Sequence, residues 1–252
     1  MIKLIALDLD RTLLHTNKEI SNYSIKILEK CRERGICVIY ATARPVRAVE
    51  SYRRLFNPDA AVYHNGAVIH INGRIIKNSI DKELTRGILR DIEKILLGAK
   101  LSVEIDDILY ANFDASVYWS GEATRQTDFS DLPETGADKI IVGVSSMDQI
   151  NAVSAVLPDC VYIEMADNKV GLIVSRSVSK LKGIKYIAHE FGVSLAETAA
   201  FGDDFNDIEM LKECGAGVAV ANAIPEAKNA AGFITGTNDE DGPAIWIETN
   251  IL

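Results

Sequence analysis

Ile5-Ala6-Leu7-Asp8-Leu9-Asp10-Arg11-Thr12-Leu13-Leu14 is the decisive stretch, because an apolar run here delivers two carboxylates and a hydroxyl to its own carboxyl end. Read as a strand, its side chains alternate faces, so Asp8 and Asp10 point the same way while Leu7 and Leu9 point back into a core. Two like charges held that close repel each other. A cation, a shared proton or a substrate must relieve the repulsion.

Working outward, Ile20 to Arg34 carries apolar residues at helical spacing (Ile20, Ile25, Ile27, Leu28, Cys31), with Gly35 placed to end the helix. Ile36 to Ala41 reads as a second buried strand, and Pro45 opens a predicted helix to about Phe56. Ala60 to Tyr63 is a third strand that reaches His64-Asn65-Gly66. Ala67 to Ile71 and Arg74 to Lys77 flank Asn72-Gly73 as a hairpin. From Asp81 to about Ile173 the character changes. Helices are expected across Lys82 to Leu97 and Met147 to Leu157. Strand-like runs occupy Leu101 to Glu104, Leu109 to Ala111, Ser116 to Trp119, Lys139 to Val144 and Cys160 to Met165, and Gly121 to Asp138 is polar and weakly periodic. Beyond Val178 helix and strand alternate again, through Lys180 to Phe191, Thr198 to Phe201, Asp207 to Cys214, Gly217 to Val220, Pro225 to Ala230 and Phe233-Ile234. The pattern predicts a doubly wound α/β core of parallel strands, residues 1–80 and 176–252, interrupted by an inserted α+β domain over 81–175.

The chain's 252 residues, 48% hydrophobic and 25% charged, suffice for a substantial core. A net charge of −9 without any run of Lys or Arg argues against a nucleic-acid surface. Met1 leads directly into a strand pattern, and no apolar run approaches the ~20 residues that span a bilayer, so a cytoplasmic protein without membrane contact is expected. No exposed heptad stripe suggests an obligate assembly, and a monomer or weak homodimer is expected. Cys31, Cys37, Cys160 and Cys214 lack metal-ligand spacing and read as buried, reduced thiols.

Three further groups fall at or beside predicted strand ends, where an open α/β sheet gathers its ligands. Thr42, in Ala41-Thr42-Ala43-Arg44, offers a hydroxyl directly after a buried strand, although a helix-capping role would also suit it. Lys180 stands at a helix start, where the dipole mildly disfavours a cation, and a solvated lysine is the plainer reading. Phe201-Gly202-Asp203-Asp204-Phe205-Asn206-Asp207 packs three carboxylates and an amide into a strand-to-helix turn. That density is costly without a cation and points to a metal site.

The order Asp-x-Asp-x-Thr, Thr, Lys and Gly-Asp-Asp-x-Asn-Asp resembles the haloacid dehalogenase superfamily of phosphatases. The tail from Gly217 to Lys228, the segment Asn238 to Gly242, and His64-Asn65-Gly66-Ala67 are similar to its Cof-type subfamily. The resemblance implies a Rossmann-like core and makes the insertion a type IIB cap. It also implies a nucleophilic Asp8 that forms an aspartyl-phosphate, and a general acid and base in Asp10, which would need a raised pKa. Thr42 and Lys180 would sit on the phosphoryl oxygens. Mg²⁺ would be held by Asp8, the backbone carbonyl of Asp10 and Asp203, with Asn206 and Asp207 supporting the metal site, and Arg44, Asn65 and Gly66 would lie on the substrate side. The implied substrate is a small phosphorylated metabolite, a sugar phosphate by default. Tyr118, Trp119, Arg125 and Gln126 are offered as cap contacts. A phosphotransferase or phosphomutase, and a non-catalytic phospholigand sensor, are the alternatives. The chain departs from the family pattern at Arg11 and Ala43, where Gly is usual, and at Ser177 and Leu181 around Lys180. Arg11 either points to solvent or adds positive charge near the site.

Overall fold

Short apolar runs become strands wherever both of their faces are covered. A computed structural model describes residues 1–117, 123–166 and 170–252. Among these the strands are β1 (Leu4–Leu7), β2 (Cys37–Ala41), β3 (Ala60–Tyr63), β4 (Val68–Ile71), β5 (Arg74–Lys77), β6 (Leu101–Ile105), β7 (Ile108–Ala111), β8 (Thr124–Gln126), β9 (Lys139–Gly143), β10 (Val161–Ala166), β11 (Val170–Ser175), β12 (Thr198–Gly202), β13 (Ala216–Ala219) and β14 (Phe233–Ile234). The α-helices are α1 (Asn22–Glu33), α2 (Glu50–Leu55), α3 (Lys82–Ile95), α4 (Met147–Ser154), α5 (Lys180–Glu190), α6 (Ile208–Glu213), α7 (Pro225–Ala230) and α8 (Gly242–Asn250). Contacts divide the chain into two compact units. One comprises Met1–Arg44, Val49–Ile76 and Ser179–Leu252; the other comprises Pro45–Ala48 and Lys77–Val178.

The first unit is built on an eight-stranded sheet of order β14-β13-β12-β1-β2-β3-β4-β5. The six strands from β14 to β3 run parallel, and β4 turns back antiparallel to β3. Asn72 and Gly73 form the two-residue turn between β4 and β5 with φ of 50° and 72°, the left-handed pair that matches strand twist. Every residue of β1 is fully buried, because β12 and β2 flank it and helices cover both faces. On one face Leu181, Ile184 and Ile187 of α5 and Met210 of α6 pack on Leu4, Ala6, Ile39 and Val62. Residues of opposite parity face the other layer, where Trp246 of α8 meets Phe201 edge-on at 5.6 Å and α8 lies against α1. Helices on both faces of a mainly parallel sheet are the doubly wound architecture that the alternating pattern implied.

The second unit has a six-stranded sheet of order β10-β11-β9-β6-β7-β8, antiparallel except for β7 with β8. Leu101, Val103, Ile140 and Val142 point to the face covered by α3 and α4. Alternation sends Ser102, Glu104 and Lys139 to the opposite face, where all three are buried.

Several expectations require correction. The helix from Pro45 to Phe56 shrinks to α2, preceded by a 3-10 turn at Arg47–Val49. Arg47 is drawn away, its guanidinium gripping Glu104 at 2.8 and 3.0 Å and its N–H bonding Asp107 at 2.9 Å. The expected strand at Ser116 instead begins in a 3-10 turn, Ala115–Val117, because Asp114 accepts both the N–H and the hydroxyl of Ser116. Tyr118 and Trp119 lie outside the described residues. The four cysteines are free, but Cys160 is exposed and Cys37 only partly buried.

Gly183 lets α5 approach β3 closely, since a Cβ there would lie 2.6 and 2.7 Å from the two methyls of Val62. Gly183→Ala is expected to destabilise the protein by about 1–3 kcal/mol through overpacking. Urea denaturation measures this, and an unchanged midpoint would show that the helix seats itself by other contacts.

Candidate active site

Asp8 continues the ladder of β1, its N–H donating to the Phe201 carbonyl at 3.0 Å, before the chain leaves the sheet. It leaves in a tight helical turn over Leu9–Leu13, closed by Leu13 N–H to Asp8 O at 3.2 Å and Leu14 N–H to Leu9 O at 2.8 Å. Arg11 stands in that turn at φ 59°, the left-handed region. The strand therefore ends at Leu7, and strand alternation does not govern Asp10. Asp8 is buried and faces a cluster of acids, whereas Asp10 is half-buried and turns to cations.

Lys180, the first residue of α5, is buried with its ammonium 2.6 Å from Asp8 Oδ1 and 2.7 Å from Asp207 Oδ1. Its helix is capped by the Ser179 hydroxyl, which accepts the N–H of Lys182 at 3.3 Å. Gly66 seats this helix start. It has φ 108°, and a Cβ would fall 2.5 Å from the Ser179 carbonyl oxygen, so a side chain there would displace the segment that presents Lys180.

Directly after β12, Asp203 and Asp207 complete the acidic cluster. One carboxylate oxygen from each of Asp8, Asp203 and Asp207 lies within 4.8 Å of the others, and all three residues are buried. Asp207 is fully engaged. Its Oδ2 accepts the N–H groups of Asp203 and Asp204 at 2.9 and 3.1 Å, and its Oδ1 faces Lys180. Gly202 makes this fold-back possible, for a Cβ there would meet the Asp207 carboxyl carbon at 2.5 Å. Thr12, quoted in the opening motif but given no role, donates its hydroxyl to Asp203 Oδ1 at 3.3 Å. Its position two residues beyond Asp10 was the available signal.

The remaining expected residues lie around this cluster within the same unit. Thr42 is buried and its hydroxyl accepts the N–H of Arg44 at 3.1 Å, a local turn instead of a helix cap. Asn206 donates to the Asn65 side-chain oxygen at 3.0 Å and so ties the loop after β12 to the turn after β3. Arg44 grips Asp10 with two bonds, Nε to Oδ2 at 2.6 Å and Nη2 to Oδ1 at 2.7 Å, and Lys18 adds a third at 2.8 Å. Arg11 is more than half exposed, yet its Nε lies 3.7 Å from Asp203 Oδ2.

Three buried carboxylates share this space with one buried ammonium, and the imbalance shows in the proton affinities of Asp8 and Asp203. Burial, reinforced by Asp207 and Asp204, pushes Asp203 up to about 7. Burial also raises Asp8 well above the ordinary carboxylate range, against the pull of Lys180 and with the repulsion of Asp207 and Asp203. Lys180 is raised despite its burial, because Asp207 and Asp8 hold its proton. Asp10 behaves in the opposite way from the expectation. Burial would raise it, but the bonds from Arg44 and Lys18 outweigh that and bring it down to about 2. The neighbouring acids gather at Asp8, not at Asp10.

The surplus negative charge and hard oxygen donors at Asp8 and Asp203 fit a divalent cation of the Mg²⁺ type.

The sequence profile of the haloacid dehalogenase-like hydrolases matches residues 5–247. The chain belongs to this family. As a haloacid dehalogenase-like hydrolase it is 30% identical, over 97% of its length and 96% of the relative's, to a 5-amino-6-(5-phospho-D-ribitylamino)uracil phosphatase of Bacillus subtilis. A solved protein of Thermotoga maritima superposes with a TM-score of 0.87 at 25% identity, covering 100% of this chain and 98% of that one. A subclass IIB sugar phosphatase superposes at 0.85 with 23% identity, covering 98% of each chain, and so shares the fold. The chain is thus an enzyme of the phosphatase class, and its acidic cluster is able to hold a metal. Among the described residues no helix is long and apolar enough to cross a membrane.

A pH dependence follows from Asp203. Between the ordinary value of 3.8 and about 7 the folded chain holds a proton there that the unfolded chain has released. Stability of the metal-free protein therefore falls as pH rises through that window, and Asp203→Asn is expected to flatten the fall. Thermal melts in chelator from pH 4.5 to 8 check this; an equal slope in the variant contradicts the assignment.

Proposed function

We propose that the protein is a Mg²⁺-dependent phosphatase of a small phosphorylated metabolite, with a sugar phosphate as the default, acting through an aspartyl-phosphate, an acyl phosphate, on Asp8. The observation that carries this reading is the placement of Asp8, buried at the end of the central strand, bonded to Lys180 and within reach of Asp203 and Asp207. A phosphatase among the chain's relatives supports the reaction class.

The chemistry uses each group's position. One oxygen of Asp8 is held by Lys180, which aims the other at phosphorus. The Asp8 oxygen forms the new bond to phosphorus as the bond to the leaving alkoxide breaks, and Lys180 balances charge gathering on the phosphoryl oxygens. The Thr42 hydroxyl accepts from Arg44, which leaves its own hydrogen for one of those oxygens. Mg²⁺, held by Asp8, Asp203 and the backbone carbonyl of Asp10 with Asp207 and Asn206 in support, would neutralise nucleophile and phosphate together. Asp10 manages protons. Held ionised by Arg44 and Lys18, it is ready to take the proton of the water that releases phosphate from Asp8. Arrival of an anionic substrate raises its proton affinity, so that Asp10 takes up a proton from solvent, gives it to the leaving alkoxide and recovers one from the attacking water.

The second unit is assigned the role of a cap that selects the leaving group. The six-stranded sheet of that unit carries exposed polar residues on β8 at its edge. Arg125 and Gln126 of β8 are exposed on the same sheet, with Arg125 over the Tyr110 ring at 5.6 Å.

Phosphate release from a panel of phosphorylated sugars, nucleotides, cofactors and aryl phosphates, with and without Mg²⁺, tests the proposal. One preferred, metal-dependent substrate is expected. Asp8→Asn should lower release by at least about 10³ while retaining the parent's circular dichroism. Undiminished release by the folded variant would refute the role of Asp8.

A further inference from the structure

The family resemblance puts Arg44 on the substrate side of the core, yet its guanidinium is already committed to another residue of the chain. Nε and Nη2 clasp the two oxygens of Asp10 at 2.6 and 2.7 Å, the paired fork that fixes a carboxylate in direction as well as in place. The guanidinium itself is braced. It lies 5.3 Å from the centroid of the Tyr52 ring, with Nη1 3.4 Å from the Tyr52 hydroxyl. At its other end, the backbone N–H of Arg44 is bonded to Thr42, so the arginine is registered against a residue assigned to the phosphoryl group. Lys18 also reaches Asp10, but it is more than half exposed and makes a single contact. An exposed single contact orients little.

We propose that Arg44 is the positioning residue of Asp10 and not a contact for substrate. Asp10 sits in a helical turn, outside the strand that fixes Asp8, so the backbone alone leaves its carboxylate unaimed. The clasp from Arg44, buttressed by Tyr52, supplies the missing direction. Arg44 thereby determines how well Asp10 hands a proton to the leaving oxygen. It contributes little to holding the phosphoryl group.

The inference rests on the reading of Asp10 as the proton donor and acceptor, and the test separates the two. p-Nitrophenyl phosphate and phenyl phosphate are alike in shape, but the first expels an acidic phenol that needs no proton and the second a phenol with pKa near ~10 that benefits from one. Asp10→Asn is the reference, and its kcat/KM should fall selectively on phenyl phosphate. Arg44→Ala is expected to reproduce that selectivity, losing on the order of 10-fold to 100-fold on phenyl phosphate and no more than about threefold on p-nitrophenyl phosphate. Guanidinium ion at tens of millimolar, below denaturing levels, should restore part of the lost rate in Arg44→Ala, and sodium should not. Tyr52→Leu, which keeps Arg44 and removes its brace, should show a weaker version of the same pattern. Equal losses on both substrates in Arg44→Ala, with selective loss in Asp10→Asn, would make Arg44 a substrate contact and overturn the inference alone. Equal losses in Asp10→Asn would instead overturn the role of Asp10, and the inference with it.

Discussion

The rest of the site depends on a charge imbalance buried at the end of the central strand. Lys180 lies between Asp8 and Asp207, and Asp203 is a third acid in the same space. One buried cation among three buried carboxylates, with only the exposed Arg11 at 3.7 Å from Asp203 beside it, leaves the cluster short of positive charge in a setting where water cannot make up the deficit. The fold brings these groups together from three distant parts of the chain and holds them there by backbone geometry. Gly202 and Gly66 make room for the close approaches, and the N–H groups of Asp203 and Asp204 anchor the Asp207 carboxylate. The stored repulsion makes sense when a divalent cation and a phosphoryl group complete the balance.

Asp8 and Asp10 are separated by a single residue and have opposite electrostatics. Asp8 faces acids and one lysine; Asp10 faces an arginine and a lysine. The proposed division into nucleophile and proton carrier therefore arises from the turn over Leu9–Leu13, which starts directly after Asp8 and contains Asp10, with Arg11 in a left-handed conformation. Arg11 also resolves the two readings of its side chain in part. It is largely exposed, yet it brings positive charge to within 3.7 Å of Asp203.

Much of this was legible in the sequence, because the strands of the core are apolar runs and the site residues follow them directly. Asp8, Asp203 and Asp207 could be picked out as acids crowded at strand ends where uncompensated charge is costly, whereas Lys180 read from its own position as a solvated lysine and was singled out by the family resemblance. The direction of Asp10 could not be read, since alternation holds only inside a strand and β1 stops at Leu7. Nor did periodicity reveal α8, whose Gly-Pro-Ala-Ile-Trp-Ile start lacks a polar face to set against an apolar one. β11 escaped for a related reason, as Val-Gly-Leu-Ile-Val-Ser is a short run interrupted by glycine. The recruitment of Pro45–Ala48 to the second unit rests on the pairing of Arg47 with Glu104, a contact across 57 residues that local pattern does not encode.

Calorimetric titration of the metal-free protein with Mg²⁺ at pH 7, repeated in two buffers of different ionisation enthalpy, tests the central claim most directly. One site per chain and release of protons on binding are expected, because Asp203, raised to about 7, holds a proton in part of the molecules that the cation must displace, with binding lost in Asp203→Asn. Binding without proton release, or binding that survives in Asp203→Asn, would show that the buried carboxylates are balanced in some other way.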